Sequence, residues 1–275
     1  MFRLRLFSKG LIYLILIIYS ILVFIPLSIL ALNSFKDLRE IFQKPFSLPS
    51  YFRVENYIVA WKQANLTRAY LNSFSVSIVS VLGVLLISSM IAYILARYDF
   101  PFRRILYLYI ISGLALPARL AIIPIYLLLR DAALLDTRMG LMLVYMATRI
   151  PFSVFILKHF MEAVPVEIED SARIDGASPW KIYSLIMLPL SRSALVVVAI
   201  FVFVGIWNDF FFPLILIDSR SKETIPLAIS VFFGEYGHQW DLLSTALWLA
   251  IFPVIIIFFI MSKQFIKGMT QGAIK

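Results

Sequence analysis

The chain has 275 residues, of which 61% are hydrophobic and 15% are charged, and its formal net charge is +9. A soluble domain contains about 45–50% apolar and about 25% charged residues, so this composition excludes an ordinary soluble fold and indicates a protein of the lipid bilayer. The chain contains no cysteine, which excludes disulfides, thiolate nucleophiles and cysteine zinc sites. The sequence has no basic run interleaved with aromatic residues, so the positive charge does not indicate nucleic-acid binding.

Six apolar stretches follow one another along the chain, and most approach the roughly 20 residues that a transmembrane helix requires. The stretches are Leu11–Leu32, Leu71–Ala96, Ile105–Leu129, Met139–Leu157, Ala194–Ile217 and Thr245–Met261. They predict an all-α, polytopic membrane protein with about six transmembrane helices. The fourth stretch is short and contains Arg149, and the sixth is short and contains Pro253.

The first stretch is predicted to be an uncleaved transmembrane helix. Three basic residues precede it, as they do the apolar core of a signal peptide; these are Arg3, Arg5 and Lys9. However, the apolar run is longer than the roughly 7–15 residues of a signal sequence, and no small-residue cleavage site follows it. Lysine and arginine are dense in the short loop 97–104, whereas the loop 218–244 is net acidic. We therefore predict a multi-pass protein of the cytoplasmic (inner) membrane with both termini in the cytoplasm.

The connection after the fourth stretch contains helix start and stop signals. Pro165 fits the first turn of a helix, and Gly176 can adopt the left-handed conformation that ends one. Ser178 and Pro179 are typical of the cap and first turn of a second helix. The pattern predicts a helix, a glycine turn and a second helix on the cytoplasmic side. A plain solvated loop between two spans is the alternative interpretation.

Polar residues inside the apolar stretches are candidates for function, because a charged side chain that faces lipid is costly. Asn208 and Asp209 lie beside Trp207, and an aromatic ring with an amide and a carboxylate could stack on a sugar and bind its hydroxyls. The alternative for this pair is a contact between helices. Arg119 and Arg149 either line a path through the membrane or pair with acidic groups of a partner subunit.

The connection after the fourth stretch also carries three short motifs at a fixed spacing. They are Asp170-Ser171-Ala172, Asp175-Gly176-Ala177 and Ile186-Met187-Leu188-Pro189. The motifs resemble the E-A-A loop of the permease subunits of binding-protein-dependent ABC importers, in which E-A-A is followed by a glycine and then by I-x-L-P. Asp170 and Ser171 replace the glutamate and first alanine of that pattern, which keeps its acidic character.

Further segments resemble the smaller of the two permeases of maltose-type carbohydrate importers, and this likeness covers nearly the whole chain. The segments are Asn72-Ser73-Phe74, Ala92-Tyr93, Ala96-Arg97, Phe100-Pro101, Trp207-Asn208-Asp209-Phe210, Pro213-Leu214, Thr224-Ile225-Pro226-Leu227 and residues 268–273. The resemblance implies a type I ABC importer permease fold. It divides the chain into an N-terminal tail, first helix and external loop (1–66), a permease core (67–265) and a cytoplasmic tail (266–275).

The same resemblance implies that the motif-bearing connection docks on an ATPase subunit and transmits its movement. The residues expected to take part are Glu167, Glu169, Asp170, Ser171, Ala172, Arg173, Asp175, Gly176, Ala177, Ile186, Leu188 and Pro189. The candidate residues of the translocation path are Asn72, Arg119, Trp207, Asn208 and Asp209.

The implied function is translocation of a sugar or related polyol by alternating access, driven by a separate ATPase. The implied partners are a second, homologous permease, a cytoplasmic ATPase dimer, an external solute-binding protein, the sugar and the lipid bilayer. The sequence has no G-x-x-x-x-G-K phosphate-binding loop, so ATP hydrolysis is assigned to another subunit, and no catalytic residue, metal site or cofactor is expected here.

Two other function classes remain open from the residues alone. One is a self-sufficient secondary transporter or channel, although many such transporters carry internal repeats, and none is visible in this sequence. The other is a membrane-embedded enzyme, which would need a cluster of catalytic polar residues near one interface.

Overall fold

The computed structural model describes residues 2–234 and 237–273, and most of them are helical. The α-helices are α1 (Phe2–Asn33), α2 (Leu38–Gln43), α3 (Glu55–Gln63), α4 (Leu66–Arg97), α5 (Arg103–Ala115), α6 (Ile122–Asp131), α7 (Arg138–Glu162), α8 (Val166–Ile174), α9 (Pro179–Lys181), α10 (Leu188–Leu190), α11 (Arg192–Trp207), α12 (Phe211–Leu216), α13 (Ile225–Ile229) and α14 (Trp240–Ala273). The π-helix Ile182–Met187 joins α9 to α10. Short 3₁₀ helices cover Ala118–Ala121, Arg220–Lys222 and Ser230–Phe232. The strands β1 (Phe233–Gly234) and β2 (Gly237–His238) pair in antiparallel orientation.

In the part of the chain that the structure describes, four helices are long and apolar enough to cross a membrane. The spans are Lys9–Asn33, Leu66–Arg97, Arg138–Glu162 and Trp240–Ile260. Two further pairs of helices satisfy the same test together, but each pair is bent. The bend between Arg103–Ala115 and Ala118–Asp131 is 89°, and the bend between Pro179–Leu190 and Arg192–Trp207 is 73°. Residues 2–234 and 237–273 therefore contain four to six candidate spans, which agrees with the predicted number when each bent pair counts as one span.

The third predicted stretch, Ile105–Leu129, is not one straight helix. It ends as α5 and resumes in the 3₁₀ turn before α6, on the two sides of Pro117. A proline disfavours the helical conformation of the residue before it, and Leu116 is indeed extended, with φ −95° and ψ 118°. The sharp bend of this pair follows from that local restriction.

The fifth predicted stretch, Ala194–Ile217, is interrupted as well. Helix α11 ends at Trp207, and the chain does not become helical again until Phe211. The carboxylate of Asp209 accepts a hydrogen bond of 3.1 Å from the backbone N–H of Phe212. Because this side chain satisfies a backbone donor of the first turn of α12, it favours a fresh helix start over continuation of α11.

The chain forms two compact units. The first comprises Met1–Leu66 and Ala228–Phe252, and the second comprises Thr67–Leu227 and Pro253–Lys275. In the first unit, the backbone carbonyl of Ser34 accepts hydrogen bonds from the side chains of Asn56 and Thr245, at 3.1 and 2.9 Å. These bonds fix the exit of α1 against α3 and the start of α14.

The second unit contains the candidate functional residues and is built around α4, α7 and α11. Its fully buried side chains include Val84, Leu95, Leu141, Tyr145, Val154, Leu157, Val198 and Trp207. Helix α4 packs against Met146 of α7 at Gly83, where an added Cβ would lie 2.5 Å from the terminal methyl carbon of the methionine. Interiors pack to high density, so a larger residue at this position would force the flexible Met146 side chain to move.

Candidate coupling and translocation sites

The connection between α7 and α11 folds as the predicted helix, glycine turn and helix. Gly176 has φ +80° and donates its N–H to the carbonyl of Arg173 at 3.0 Å. The N–H of Ala177 reaches back to the carbonyl of Ala172 at 2.9 Å. This bond pair is the Schellman arrangement, which satisfies the last carbonyls of a helix and fixes the direction in which the chain leaves it. The turn after α8 is therefore stiff.

The second half of the hairpin begins as the sequence predicts. The Oγ of Ser178 accepts a hydrogen bond of 3.4 Å from the N–H of Lys181, and Pro179 occupies the first turn. The π-helix that follows buries Ile182, Tyr183 and Met187. We call the segment from Val166 to Lys181 the α8–α9 hairpin. The buried side chains of the π-helix directly after it attach the second half of the hairpin to the protein core.

The exposed side of the α8–α9 hairpin carries most of the predicted coupling residues. The exposed members are Glu167, Asp170, Ser171, Arg173, Asp175 and Gly176, and Ala172 and Ala177 are half-buried. Farther along, Ile186 and Leu188 are half-buried and Pro189 is exposed. Two large apolar side chains also lie open, since Ile174 is 87% exposed and Trp180 is 60% exposed. An exposed tryptophan surrounded by polar residues is typical of protein interfaces, in which aromatic residues are enriched and the rim is polar.

Glu169 is the one predicted coupling residue that points into the protein. Its side chain is only 1% exposed and forms an ion pair with Arg97 of α4, with Oε1 and Nε 2.5 Å apart. The hydroxyl of Tyr93 donates to the other carboxylate oxygen at 3.2 Å. Arg97 also donates to the carbonyl of Val164 at 2.6 Å, and Arg173 lies 3.7 Å from Glu169. We call Tyr93, Arg97 and Glu169 the Glu169 joint.

Two predicted path residues, Trp207 and Asp209, are buried by packing. Trp207 is 2% exposed and lies against Phe74 and Phe203, with ring centroids 4.9 and 5.4 Å away. Asp209 is 7% exposed, and its carboxylate accepts a hydrogen bond of 2.9 Å from the hydroxyl of Tyr145. These contacts favour the helix-contact interpretation for both side chains.

The other polar residues of the stretches have different surroundings. Asn208 is exposed at the end of α11. The side chain of Arg119 is 69% exposed, and its guanidinium lies 3.7 Å from the carboxylate of Asp209. Arg149 instead donates to the backbone carbonyl of Gly205 at 3.2 Å, where the missing side chain of the glycine leaves room for the guanidinium. Both arginines thus have partners within this chain.

Asn72 holds a loop rather than facing open space. It is 5% exposed, and its amide nitrogen donates to the backbone carbonyls of Ser221 and Glu223, both at 2.9 Å. The adjacent Ser73 accepts a hydrogen bond of 2.8 Å from the N–H of Ile225. We call Asn72 and Ser73 the Asn72 joint, and it binds the start of α4 to the loop before α13.

The same loop is ordered from its other side by Asp136. This residue has φ +51°, and its carboxylate accepts hydrogen bonds from the backbone N–H groups of Asp218 and Ser219 and an ion pair from Lys222 at 2.7 Å. Burial by itself would raise the pKa of Asp136, but the hydrogen bonds from Lys222, Ser219 and Asp218 together hold that pKa well below its usual range.

Residues 85–271, which are more than half of the chain, match the family described as binding-protein-dependent transport system inner membrane component. The chain belongs to this family. The match begins inside α4 and includes the α8–α9 hairpin, so it covers the part of the permease in which the motifs and the Glu169 joint lie.

Individual relatives are similar over nearly their whole length. The permease of the diacetylchitobiose uptake system of Streptomyces coelicolor is 35% identical over 95% of this chain and 87% of its own. A putative ABC transporter permease of a Caldicellulosiruptor species is 34% identical over 98% of both chains. An arabinooligosaccharides transport system permease of Halalkalibacterium halodurans is 32% identical over 91% of this chain and 90% of its own.

Solved structures establish the fold of the permease. A chain of a bacterial ABC transporter that imports the acidic polysaccharide alginate superposes with a TM-score of 0.82 over 94% of this chain and 96% of its own, at 20% identity. A chain of the MetNI methionine ABC transporter in an inward-facing conformation superposes with a TM-score of 0.59 over 74% of this chain and 95% of its own, at 15% identity. The predicted ABC importer permease fold is therefore confirmed.

Sequence reasoning missed how the two joints of the permease are made. Arg97 was recognisable as a basic residue at the end of an apolar stretch, and Glu169 as an acidic residue of a capped helix. Nothing in the order of residues indicates that these two side chains meet. The position of Asp136 in a turn was only weakly indicated by the sequence, because aspartate tolerates a positive φ better than most residues do but is also common elsewhere.

Proposed function

We propose that this permease transmits ATP-driven movement of a separate ATPase to its own transmembrane helices, and so moves a sugar or related polyol across the membrane. The observation that carries this proposal is the α8–α9 hairpin. It is stiff at Gly176, anchored inward through Glu169 and exposed outward through Asp170 and its neighbours. A movement can be passed on as a rigid body only if the segment that receives it is itself rigid and anchored.

The proposed orientation places the hairpin and both termini in the cytoplasm, and the 218–224 loop outside an inner membrane. In that arrangement the α8–α9 hairpin meets an ATPase dimer, and the external loops meet a solute-binding protein. A second permease completes the translocation path, because a single chain of this family brings only part of it. The chain lacks a phosphate-binding loop of its own, which supports a separate ATPase subunit.

Carbohydrate is the proposed substrate class because the relatives named above include permeases for diacetylchitobiose and for arabinooligosaccharides. Asn208 and Arg119 are the proposed path residues with exposed side chains. Trp207 and Asp209 are proposed to support the path from behind, because packing and hydrogen bonds already occupy their side chains. An external binding protein would then set much of the choice of sugar.

The first experiment is purification of the tagged chain from its own membrane in mild detergent, with identification of the co-purifying proteins and an ATPase assay. We expect a second multi-helix permease and an ATPase whose activity rises with the sugar-loaded binding protein. Recovery of this chain alone, stable and without ATPase activity, would instead favour the secondary transporter or channel and overturn the proposal.

A matched pair of variants then tests the role of the hairpin. Gly176→Val forces a β-branched residue into a left-handed conformation, which costs about 1–2 kcal/mol, and we expect it to weaken ATPase attachment or sugar uptake. Gly176→Asn introduces a side chain in the same place, but asparagine tolerates this conformation, so uptake should stay near the wild-type level. Open space surrounds the glycine, so the contrast isolates backbone strain. Equal uptake in both variants would argue against the docking role.

A further inference from the structure

Helix α4 is one continuous helix of 32 residues from Leu66 to Arg97. At 1.5 Å per residue it is about 48 Å long, which exceeds the roughly 30 Å hydrocarbon core of a bilayer. It contains no proline, whereas the two bent pairs of helices turn through 89° and 73°. Within the second unit, α4 is therefore the element best suited to carry a displacement from one side of the membrane to the other.

The Glu169 joint ties the last turn of α4 to the α8–α9 hairpin. The side chains of Arg97 and Glu169 are 6% and 1% exposed, so water does not compete for their ion pair. Separating them would leave a charge buried without its partner, which costs several kcal/mol. Arg97 also binds the carbonyl of Val164, two residues before α8 begins. The guanidinium of Arg97 therefore binds both the side chain of Glu169 and the backbone just before α8, so the end of α4 is attached to the hairpin by two contacts.

The packing of Tyr93 adds a second tie one turn earlier in α4. Its hydroxyl donates to Glu169, and its ring lies 5.4 Å from the ring of Tyr183 in the π-helix after α9. The hydroxyl of Tyr183 in turn shares a hydrogen bond of 2.8 Å with Ser89 of α4. Both halves of the connection are therefore attached to α4, and a displacement of the hairpin cannot bypass the helix without breaking buried polar contacts.

The opposite end of α4 is fastened in the same manner to the 218–224 loop. Asn72 donates to two carbonyls of this loop, and Ser73 accepts from the N–H of Ile225 just beyond it. Asn72 and Ser73 are 5% and 2% exposed. From Asn72 to Arg97 the helix contains 25 residue steps, or about 38 Å of rise, and it has a buried joint at each end.

We propose that α4 is a rigid link that moves the external 218–224 loop in step with the cytoplasmic α8–α9 hairpin. The Glu169 joint passes the movement into the helix, and the Asn72 joint passes it out. The inference rests on the proposed docking of the hairpin on an ATPase, and it adds an output at the surface where a solute-binding protein would sit. Tyr93, Arg97, Glu169, Asn72 and Ser73 act as positioning residues and touch no substrate.

Position 220 offers a direct readout of the output side. The chain has no cysteine, and Arg220 is exposed, so Arg220→Cys accepts a single spin label in the otherwise cysteine-free permease. The labelled chain is studied in nanodiscs as the full complex, with its partner permease and ATPase, with and without a non-hydrolysable ATP analogue. We expect the analogue to change the spectrum of the label when both joints are intact.

Each joint is then opened separately in the labelled complex. Glu169→Gln removes the inner charge at constant shape, and Asn72→Leu removes both outer hydrogen bonds. We expect either variant to suppress the response at position 220 and to lower the sugar transported per ATP about tenfold, a typical size for coupling between two sites. Lys158→Gln breaks the ion pair of α7 between Lys158 and Glu162 on the same side of the membrane, and it should leave both quantities unchanged. An unchanged response in the Glu169 and Asn72 variants would overturn the link.

Combining the two substitutions tests whether the joints act through one shared helix or whether each variant harms transport independently. If both joints belong to a single link, Glu169→Gln with Asn72→Leu should lower transport per ATP no further than the more severe single variant does. Multiplicative losses would overturn the proposal, because spatial continuity alone does not establish coupling. Should Glu169→Gln fail to assemble, Tyr93→Phe removes one hydrogen bond and keeps the ion pair, and a partial loss of the response is then expected.

The outcome also separates this inference from the proposed function. If no ATPase co-purifies with the wild-type chain, the proposed function fails first. If Gly176→Val uncouples the complex while Glu169→Gln and Asn72→Leu leave the label response intact, the hairpin docks as proposed and only the link through α4 is wrong.

Discussion

The two ends of α4 are held by different chemistry. The Glu169 joint uses a buried ion pair, in which the arginine and glutamate side chains are 6% and 1% exposed. The Asn72 joint binds the loop through two neutral side chains, an amide and a hydroxyl that contact backbone atoms. The amide oxygen of Asn72 also accepts a long hydrogen bond of 3.5 Å from Arg138. The charged pair that holds the same loop, Lys222 with Asp136, has side chains that are 38% and 25% exposed.

This difference determines how each end can fail. A buried ion pair is strongly destabilised when one partner is removed, because the remaining charge loses its close counter-ion in a place that water does not reach. Without Arg97, Glu169 would keep, among the described residues, only the half-exposed Arg173, 3.7 Å away, as a counter-ion. A neutral hydrogen bond is weaker, so its loss loosens a loop without leaving a buried charge. The hairpin end should therefore tolerate substitution less than the loop end does, although both ends are equally well buried.

The largest effect should follow from Arg97→Met. The substitution keeps much of the volume of the side chain but leaves Glu169 buried and the carbonyl of Val164 without its donor. We expect it to destabilise the permease by about 3–5 kcal/mol, measured as thermal or denaturant unfolding in nanodiscs. Adding Glu169→Leu removes the orphaned charge and should recover more than half of the loss.

Lys158→Met is the matched control, because it breaks an ion pair between neighbouring turns of α7 whose side chains are 12% and 35% exposed. It also removes the ammonium that lies 4.6 Å from the centre of the Tyr107 ring, which is a weak contact. Partly exposed pairs contribute about 0–1 kcal/mol, so this variant should unfold close to the wild type. If Arg97→Met were no more damaging than Lys158→Met, the charge at the hairpin end would have no special role and the contrast between the two ends would disappear.

The sequence predicts the hairpin well because its signals are local. Gly176, Ser178 and Pro179 each act on backbone atoms within a few residues, and the structure has the turn and the second helix start where these residues predict them. The lengths of the apolar stretches likewise predict the number of spans, because the thickness of the bilayer sets the length that each span needs. Such features do not depend on the rest of the fold.

Features that depend on distant residues were not predictable in the same way. The bend at Pro117 has a local cause, yet its angle depends on how α5 and α6 pack. Arg97 and Glu169 are far apart in the chain, and Asn72 and Ser221 are farther apart still, so no spacing rule relates either pair. The type and position of Asp209 in the sequence left a path residue and a helix contact as alternatives, because its burial against Tyr145 is not visible there.

An intermediate effect is expected from Asn72→Leu at the loop end. The leucine has similar volume, but it leaves the carbonyls of Ser221 and Glu223 without their amide donor, at about 1 kcal/mol for each lost hydrogen bond. We expect a total near 2 kcal/mol and faster hydrogen exchange of the backbone amides in the 218–224 loop. Ser75→Ala is the control, because the hydroxyl of Ser75 donates to the carbonyl of Asn72 within α4 and not to the loop. Equal exchange in both variants would contradict the role of Asn72.

The smallest effect, Asp136→Asn, tests the charged group that supports the loop end. Hydrogen bonds from Lys222, Ser219 and Asp218 hold the pKa of Asp136 well below its usual range, against the opposing effect of burial. A lowered pKa stabilises the folded state fully above the unfolded pKa of about 4, and this contribution is lost progressively as the pH falls from there through the lower folded pKa. The wild type should therefore unfold at a higher temperature than Asp136→Asn between about pH 5 and pH 7, and the difference in unfolding temperature should shrink steadily as the pH falls below about 4. A difference that stays constant or grows on acidification would show that the charge of Asp136 does not hold the loop, and would leave the neutral Asn72 joint as its main support.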